Sequence, residues 1–223
     1  MSEDLAALPK VEPLPTSLVK RYRSWRDTDL SENRRLFQRL ADEGQRPRYM
    51  AIACADSRVQ ASQILGGAPG EVFMHRNIAS LVPPCTPDGA HHGTSAAVEY
   101  AVQALQVTNL IVMGHSLCGG VKGCHEMCRG DAPSLEAQDS FVGRWIDILR
   151  PGYDRVKDLP DEAMRLRALE EQAVIVSLEN LMTFPFVASA VEAGKLALHG
   201  LWIDISSGEL RYLRPESGQF EPV

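Results

Sequence analysis

Three short apolar runs, separated by stretches of helical period, set the strongest limit on how this chain folds. Tyr49-Met50-Ala51-Ile52-Ala53 reads as a buried strand, as do Val72-Phe73-Met74 and Leu110-Ile111-Val112-Met113. Thr94 to Leu105 has the pattern of a helix between the last two. Buried strands alternating with helices imply right-handed crossovers and a parallel sheet. The end of the chain breaks this rhythm. Leu196 to Ile205, then Ser206-Ser207-Gly208, then Glu209 to Leu213 is the pattern of a hairpin. The expected fold is therefore α/β: a central, mainly parallel β-sheet flanked by helices, with an N-terminal helical arm and a C-terminal antiparallel hairpin.

Residues 1–15 carry three prolines and are read as an extended arm. Residues 16–43 are predicted helical, because Leu30, Leu36, Phe37 and Leu40 recur near a 3.6-residue period. Asp27 or Asp29 is the expected cap, and Arg46-Pro47 the break. Residues 134–150 and 161–181 are also predicted as helices. No internal repeat or linker divides the 223 residues, so 1–223 reads as a single domain.

Charge narrows the function classes. The net charge of −6, from 29 acidic and 23 basic residues, argues against nonspecific binding to nucleic acid or membranes, since both need clustered positive charge. The basic stretch Lys20 to Arg26 is read as the solvated face of a helix. The opening residues lack the apolar core of a signal peptide, and no run of about 18 apolar residues exists. A cytoplasmic location follows as an expectation. In that reducing setting the five cysteines are better read as metal ligands or buried thiols than as disulfides.

Two clusters carry chemistry. Cys54-Ala55-Asp56-Ser57-Arg58 follows the first predicted strand, and Gly114-His115-Ser116-Leu117-Cys118-Gly119-Gly120 follows the strand at 110–113. Ligands gather at the carboxyl edge of open α/β sheets, so two parallel strands would bring both clusters to one edge. Cys54, His115 and Cys118 then form a Cys₂His set for Zn²⁺, one ion per subunit. Three protein ligands with one open position is the catalytic pattern. Asp56 and Arg58 are spaced to form a carboxylate–guanidinium fork that keeps the aspartate ionised. Taken singly, H-x-x-C and C-x-D-x-R are weak signals; their placement after two separate strands is what gives them weight. A rival set exists in Cys118, Cys124, His125 and Cys128, which would make a closed structural zinc site. If Gly119-Gly120 opens a helix, Cys124 and Cys128 instead pack as small hydrophobes. Cys85, between Pro84 and Thr86, reads as an ordinary loop thiol.

These two clusters, together with His75-Arg76-Asn77-Ile78-Ala79 between them, resemble the signature blocks of the β-class carbonic anhydrases. Leu198-His199-Gly200-Leu201-Trp202-Ile203-Asp204 resembles their final strand, and the likeness runs from about residue 30 to 213. The resemblance implies zinc-dependent reversible hydration of carbon dioxide to bicarbonate. It also implies a dimer or a multiple of dimers, with residues 1–43 packing on the partner subunit. By position it assigns Gln45, Phe73 and Tyr100 to the carbon dioxide pocket, partly across the subunit interface. Without the family, Phe73 and Tyr100 would read as core and Gln45 as a surface residue. One subgroup carries a tryptophan three residues before the first zinc cysteine, at a second, inhibitory bicarbonate site. Ala51 stands there in this chain, which places it with the plant-like subgroup whose zinc water is accessible. Asp56 is then expected to stay on Arg58. Candidates for proton relay are His75, His91, His92 and Tyr100, and the His91-His92 pair also reads as a solvated loop. Two alternatives remain: hydrolysis of carbon disulfide or carbonyl sulfide at the same site, or a zinc-stabilised scaffold without catalysis. The paired Asp56 and Arg58 argue against the scaffold.

Overall fold

A computed structural model describes residues 12–87 and 92–223, which fall into two compact units divided after Gly44. The expected arm at 1–15 lies largely outside the described residues, as does His91.

The first unit holds helix α1 (Thr16–Trp25) and helix α2 (Arg34–Glu43). Within it the Trp25 ring meets Phe37 edge-on, with centroids 5.9 Å apart. The basic residues of α1 are exposed, as the solvated-face reading requires. The capping expectation is corrected. Asp27 and Asp29 do not start a helix, because α1 runs on through a π-helical turn, Arg26–Leu30, that contains them both. Asp27 instead pairs with Arg26 at 2.8 Å, and the Asp29 carboxylate accepts from Thr28 Oγ1. Gly44, at φ +77°, ends α2 just before Arg46-Pro47.

The second unit is a six-stranded sheet in the order β2-β1-β3-β4-β5-β6. Strands β1 (Tyr49–Cys54), β2 (Val72–Asn77), β3 (Asn109–His115) and β4 (Ala197–Ile203) are parallel. Strands β5 (Leu210–Leu213) and β6 (Phe220–Pro222) continue it antiparallel. The three predicted strands are β1, β2 and β3, and the predicted hairpin is β4–β5. β6 is an addition: three residues ending on Pro222 carry too weak a β pattern to stand out.

Strand β1 is buried from Met50 to Cys54, the hallmark of a parallel strand covered on both faces. Met50 and Ile52 join Leu110, Val112, Val174 and Trp202 in the main core. Ala53 and Met113 turn the other way, into a smaller cluster with Ala61 and Ile203. Helices α4 (Gly93–Glu99, extended by a π turn at Tyr100–Ala104), α9 (Glu162–Leu181) and α10 (Pro185–Glu192) supply residues to the main core. Asp161 caps α9 by accepting from the Met164 amide at 3.0 Å. The helix predicted at 134–150 is broken into α6 (Pro133–Glu136), α7 (Phe141–Ile146) and a 3₁₀ turn that leads into α8 (Arg150–Val156). Ser140 opens α7 by accepting from the Gly143 amide. A side chain at Gly143, inside α7, would sit 1.7 Å from the Leu135 carbonyl oxygen of α6, so only glycine fits where these two helices meet. The short helix α3 (Ala61–Ile64) and α5 (Gly119–Cys128) complete the unit.

Candidate metal centre

The chain runs from β1 outward to β2, then returns to the other side of β1 to form β3. The gap between β1 and β3 is thus the point where strand order reverses, and their carboxyl ends open a crevice there. Cys54 closes β1 and His115 closes β3. Cys118 follows as the N-cap of α5, so its sulfur lies at the positive end of a helix. The ligand atoms of Cys54, His115 and Cys118 lie within 4.8 Å of one another, and all three residues are buried. No other such group of three occurs among the described residues.

The donor set fits zinc. Tetrahedral Zn–S bonds of about 2.3 Å place two thiolates about 3.8 Å apart, and the two sulfurs stand 4.0 Å apart. His115 Nδ1 lies 2.8 Å from its own loop's Ser116 carbonyl oxygen. That bond makes Nδ1 the protonated nitrogen and turns the lone pair of Nε2 inward. Nε2 is buried and has no hydrogen-bond partner, which is what a metal ligand requires. The Asp56 amide lies 3.4 Å from Cys54 Sγ and supports a thiolate there. The shared contact with Cys118 holds the Cys54 thiol well below its ordinary range, while the same contact and burial push Cys118 up. A cation between them would favour the thiolate form of both sulfurs.

Asp56 and Arg58 form the expected fork. Arg58 Nε donates to Oδ1 at 2.9 Å and Nη2 to Oδ2 at 2.7 Å, and the Arg58 amide also reaches Oδ1 at 2.9 Å. Arg58 thereby holds the Asp56 carboxyl well below the usual carboxylate range. Arg58 Nη2 donates as well to the carbonyl of Leu117, tying the loop after β1 to the loop after β3.

The residues assigned to the carbon dioxide pocket are placed differently. Phe73 and Tyr100 pack together with ring centroids 5.8 Å apart. Phe73 lies opposite Met50, four residues back along β2 from Asn77, the register partner of Cys54. At about 3.3 Å per residue, roughly 13 Å of strand separates them from the metal end of their own sheet. Gln45 is exposed in the segment ahead of β1. Strand register thus sets Phe73, and Tyr100 with it, away from the Cys₂His group of their own chain. Tyr100 is also half exposed. His75 Nε2 lies 3.0 Å from Thr94 Oγ1, and burial lowers the His75 pKa.

The rival zinc set is not assembled. Cys124 and Cys128 lie on one face of α5 with sulfurs 3.9 Å apart, but neither groups with Cys118 around a common point. Burial pushes the Cys124 thiol up, as for a small hydrophobe in a core. His125 packs edge-on against Tyr153. Cys85 is half-buried, and its amide donates to Thr183 Oγ1.

Two residues of the site had no role in the sequence reading. Arg76 Nε donates to the Cys54 carbonyl at 2.9 Å, and its Nη2 donates to the carbonyls of Asp56 and Val59 at 2.7 and 2.8 Å. Its place within the His75–Ala79 block was the available signal. Glu170, in the middle of α9, accepts from the Leu117 amide at 2.6 Å. A glutamate beside Glu171 in a long helix carries no local sign of burial.

Comparison with known proteins agrees with this geometry. The family model described as Carbonic anhydrase matches residues 49–210. The curated β carbonic anhydrase 3 of Arabidopsis thaliana is 38% identical over 187 residues, covering 82% of this chain and 70% of that protein. The solved structure of the β-carbonic anhydrase CcaA superposes with a TM-score of 0.84 at 29% identity, covering 93% of this chain and 91% of the other. The β-carbonic anhydrase CafA of Aspergillus fumigatus gives 0.72 at 30% identity, covering 91% and 93%.

Proposed function

The chain belongs to the β-class carbonic anhydrases, and on that premise we propose how its residues share the work of zinc-dependent interconversion of carbon dioxide and bicarbonate. Cys54, His115 and Cys118 hold the ion. The observation that carries this assignment is the convergence of two sulfurs and the unpartnered His115 Nε2 within 4.8 Å at the strand-order reversal. When bound, zinc would supply Lewis acidity that lowers the pKa of a bound water toward neutrality.

The rest belongs to the protein. Arg58 occupies one edge of the Asp56 carboxylate and keeps it ionised. The remaining lone pairs of Asp56 accept a hydrogen bond from the reacting water, which aims that water at carbon dioxide and takes part in moving its proton. Ala51 stands where the inhibitory-site tryptophan would be, and Asp56 rests on Arg58; both support assignment to the plant-like subgroup.

The catalytic unit is a homo-oligomer built from dimers, in which Gln45, Phe73 and Tyr100 of one subunit complete the carbon dioxide pocket of another. The supporting observation is the strand distance that keeps Phe73 from its own Cys54. The helices within residues 16–43 give the arm that packs on that partner, so that 1–223 works as one domain. The solved β-carbonic anhydrases of Sordaria macrospora are described as tetrameric. Among the described residues no single helix is long and apolar enough to cross a membrane. With a net charge of −6, this supports a cytoplasmic enzyme that engages neither membrane nor nucleic acid. Stopped-flow carbon dioxide hydration, run beside zinc content and mass in solution, tests the reading. One zinc per chain, rapid hydration and a dimeric or larger mass are expected; a zinc-loaded protein that does not hydrate carbon dioxide overturns it.

A further inference from the structure

Glu170 is a carboxylate that the mechanism above leaves unused. It is only 6% exposed, in the middle of α9, where an ionisable group needs a partner. Its partner lies 53 residues away: Oε1 accepts the Leu117 amide at 2.6 Å. Leu117 has φ +57°, a left-handed conformation that a residue with a β-carbon adopts only when held there. Packing does not hold it, since Leu117 is 70% exposed. Its two backbone groups do. The amide goes to Glu170, and the carbonyl accepts from Arg58 Nη2 at 3.1 Å. The same guanidinium carries the Asp56 carboxylate. A strut therefore runs from a buried acid through one peptide to the guanidinium, and from there to the aspartate at the reacting centre.

We infer that Glu170 is a positioning residue: it fixes the left-handed Leu117 peptide, and through the Leu117 carbonyl it keeps Arg58 and Asp56 aligned. This rests on the reading of Asp56 and Arg58 as the catalytic pair. What the strut needs at 170 is an acceptor of the right reach. Glutamine supplies one through its own Oε1, and alanine leaves the Leu117 amide without one.

The test is a double-mutant cycle on the zinc-loaded enzyme, with kcat, KM and zinc per chain measured for Glu170→Ala, Glu170→Gln and each combined with Arg58→Ala. Glu170→Ala should keep one zinc per chain and lose about tenfold in kcat with KM within about twofold. Glu170→Gln should recover the rate to within about threefold of wild type. In the Arg58→Ala background, Glu170→Ala should cost nothing further, because the strut is already cut. An added tenfold loss in that background, or a glutamine variant as slow as alanine, or loss of zinc in step with rate, overturns the inference. If alanine prevents folding, Glu170→Gln is compared with Glu170→Leu, glutamine keeping an acceptor at Oε1 with an amide donor beside it and leucine offering no acceptor: a threefold loss or less in glutamine with tenfold or more in leucine supports the strut, and tenfold or more in glutamine or threefold or less in leucine refutes it. A wild type that turns over with an additive cycle sinks only this inference. A wild type with no hydration activity sinks the functional reading and this one with it.

Discussion

Arg76, on the strand next to β1, donates from Nε to the backbone carbonyl of Cys54, so a charged side chain holds the main chain of a metal ligand in place. Nη2 of the same guanidinium takes the carbonyls of Asp56 and Val59, and the whole turn that carries ligand and aspartate hangs on one rigid fork. Lysine cannot reproduce this grip, because its ammonium is a single point donor. Arg76→Lys should lower zinc affinity by about 10- to 100-fold and reduce the melting temperature. Competition with a chelator measures the first, and unchanged affinity would remove Arg76 from the support of the site.

The ligands and the aspartate should separate cleanly in mutants. Cys54→Ala should lose both zinc and hydration activity; retention of full zinc content would remove Cys54 from the ligand set. Asp56→Ala should keep zinc and lose about a hundredfold in rate, and a wild-type turnover number would end its orienting role.

Gly114, one residue before His115, marks how closely α9 crosses β3. A β-carbon there would lie 2.8 Å from Val174 Cγ2 and 3.3 Å from the Glu170 carbonyl oxygen. Gly114→Ala should therefore push the helix from the strand and cost about 1–3 kcal/mol of stability. Denaturant unfolding reads the cost directly, and a loss below about 0.5 kcal/mol would show that the crossing yields without strain.

Asp204, one residue past the register partner of His115, gives the fold a pH signature of its own. Its Oδ1 accepts from the Ser206 and Ser207 amides at 2.9 and 2.8 Å and from both hydroxyls, in the turn between β4 and β5. The Ser206 hydroxyl and the Ser207 amide lead in holding this carboxyl well below its ordinary range. A carboxyl depressed in the folded state stabilises above its unfolded value of about 3.9, and that contribution fades as pH falls from there toward the folded value. Asp204→Asn should be less stable than wild type at pH 6, with the difference shrinking between about pH 4 and pH 2. A difference independent of pH would mean that the ionised form brings nothing to the turn.

The strands and the metal set were legible because their signals are local. Apolar runs mark β1, β2 and β3, and each ligand cluster directly follows one of them. What was not legible depends on distance or on continuity. The Glu170 contact joins residues 53 apart, and three-dimensional burial alone distinguishes it from Glu171. Asp27 and Asp29 carry cap chemistry but lie inside a helix that continues through a π turn, so the cap signal misleads. The helix predicted at 134–150 breaks between Glu136 and Phe141, and Gly143 inside α7 meets the Leu135 carbonyl of α6, a contact that no local pattern announces. Phe73 has the same character: its ring meets Tyr100 only because the helical turn after α4 lies beside β2.

Cys54 and His115 end adjacent parallel strands whose alignment runs from Tyr49 opposite Asn109 to Ala53 opposite Met113. Slide one strand past the other by a single position and one donor moves about 3.3 Å along the sheet while its side chain turns to the opposite face. No tetrahedral set survives that error. A Cys₂His group at this edge is thus tied to one alignment of the central strand pair, and a substitution that shifted that alignment would dismantle the group without touching any of its three residues.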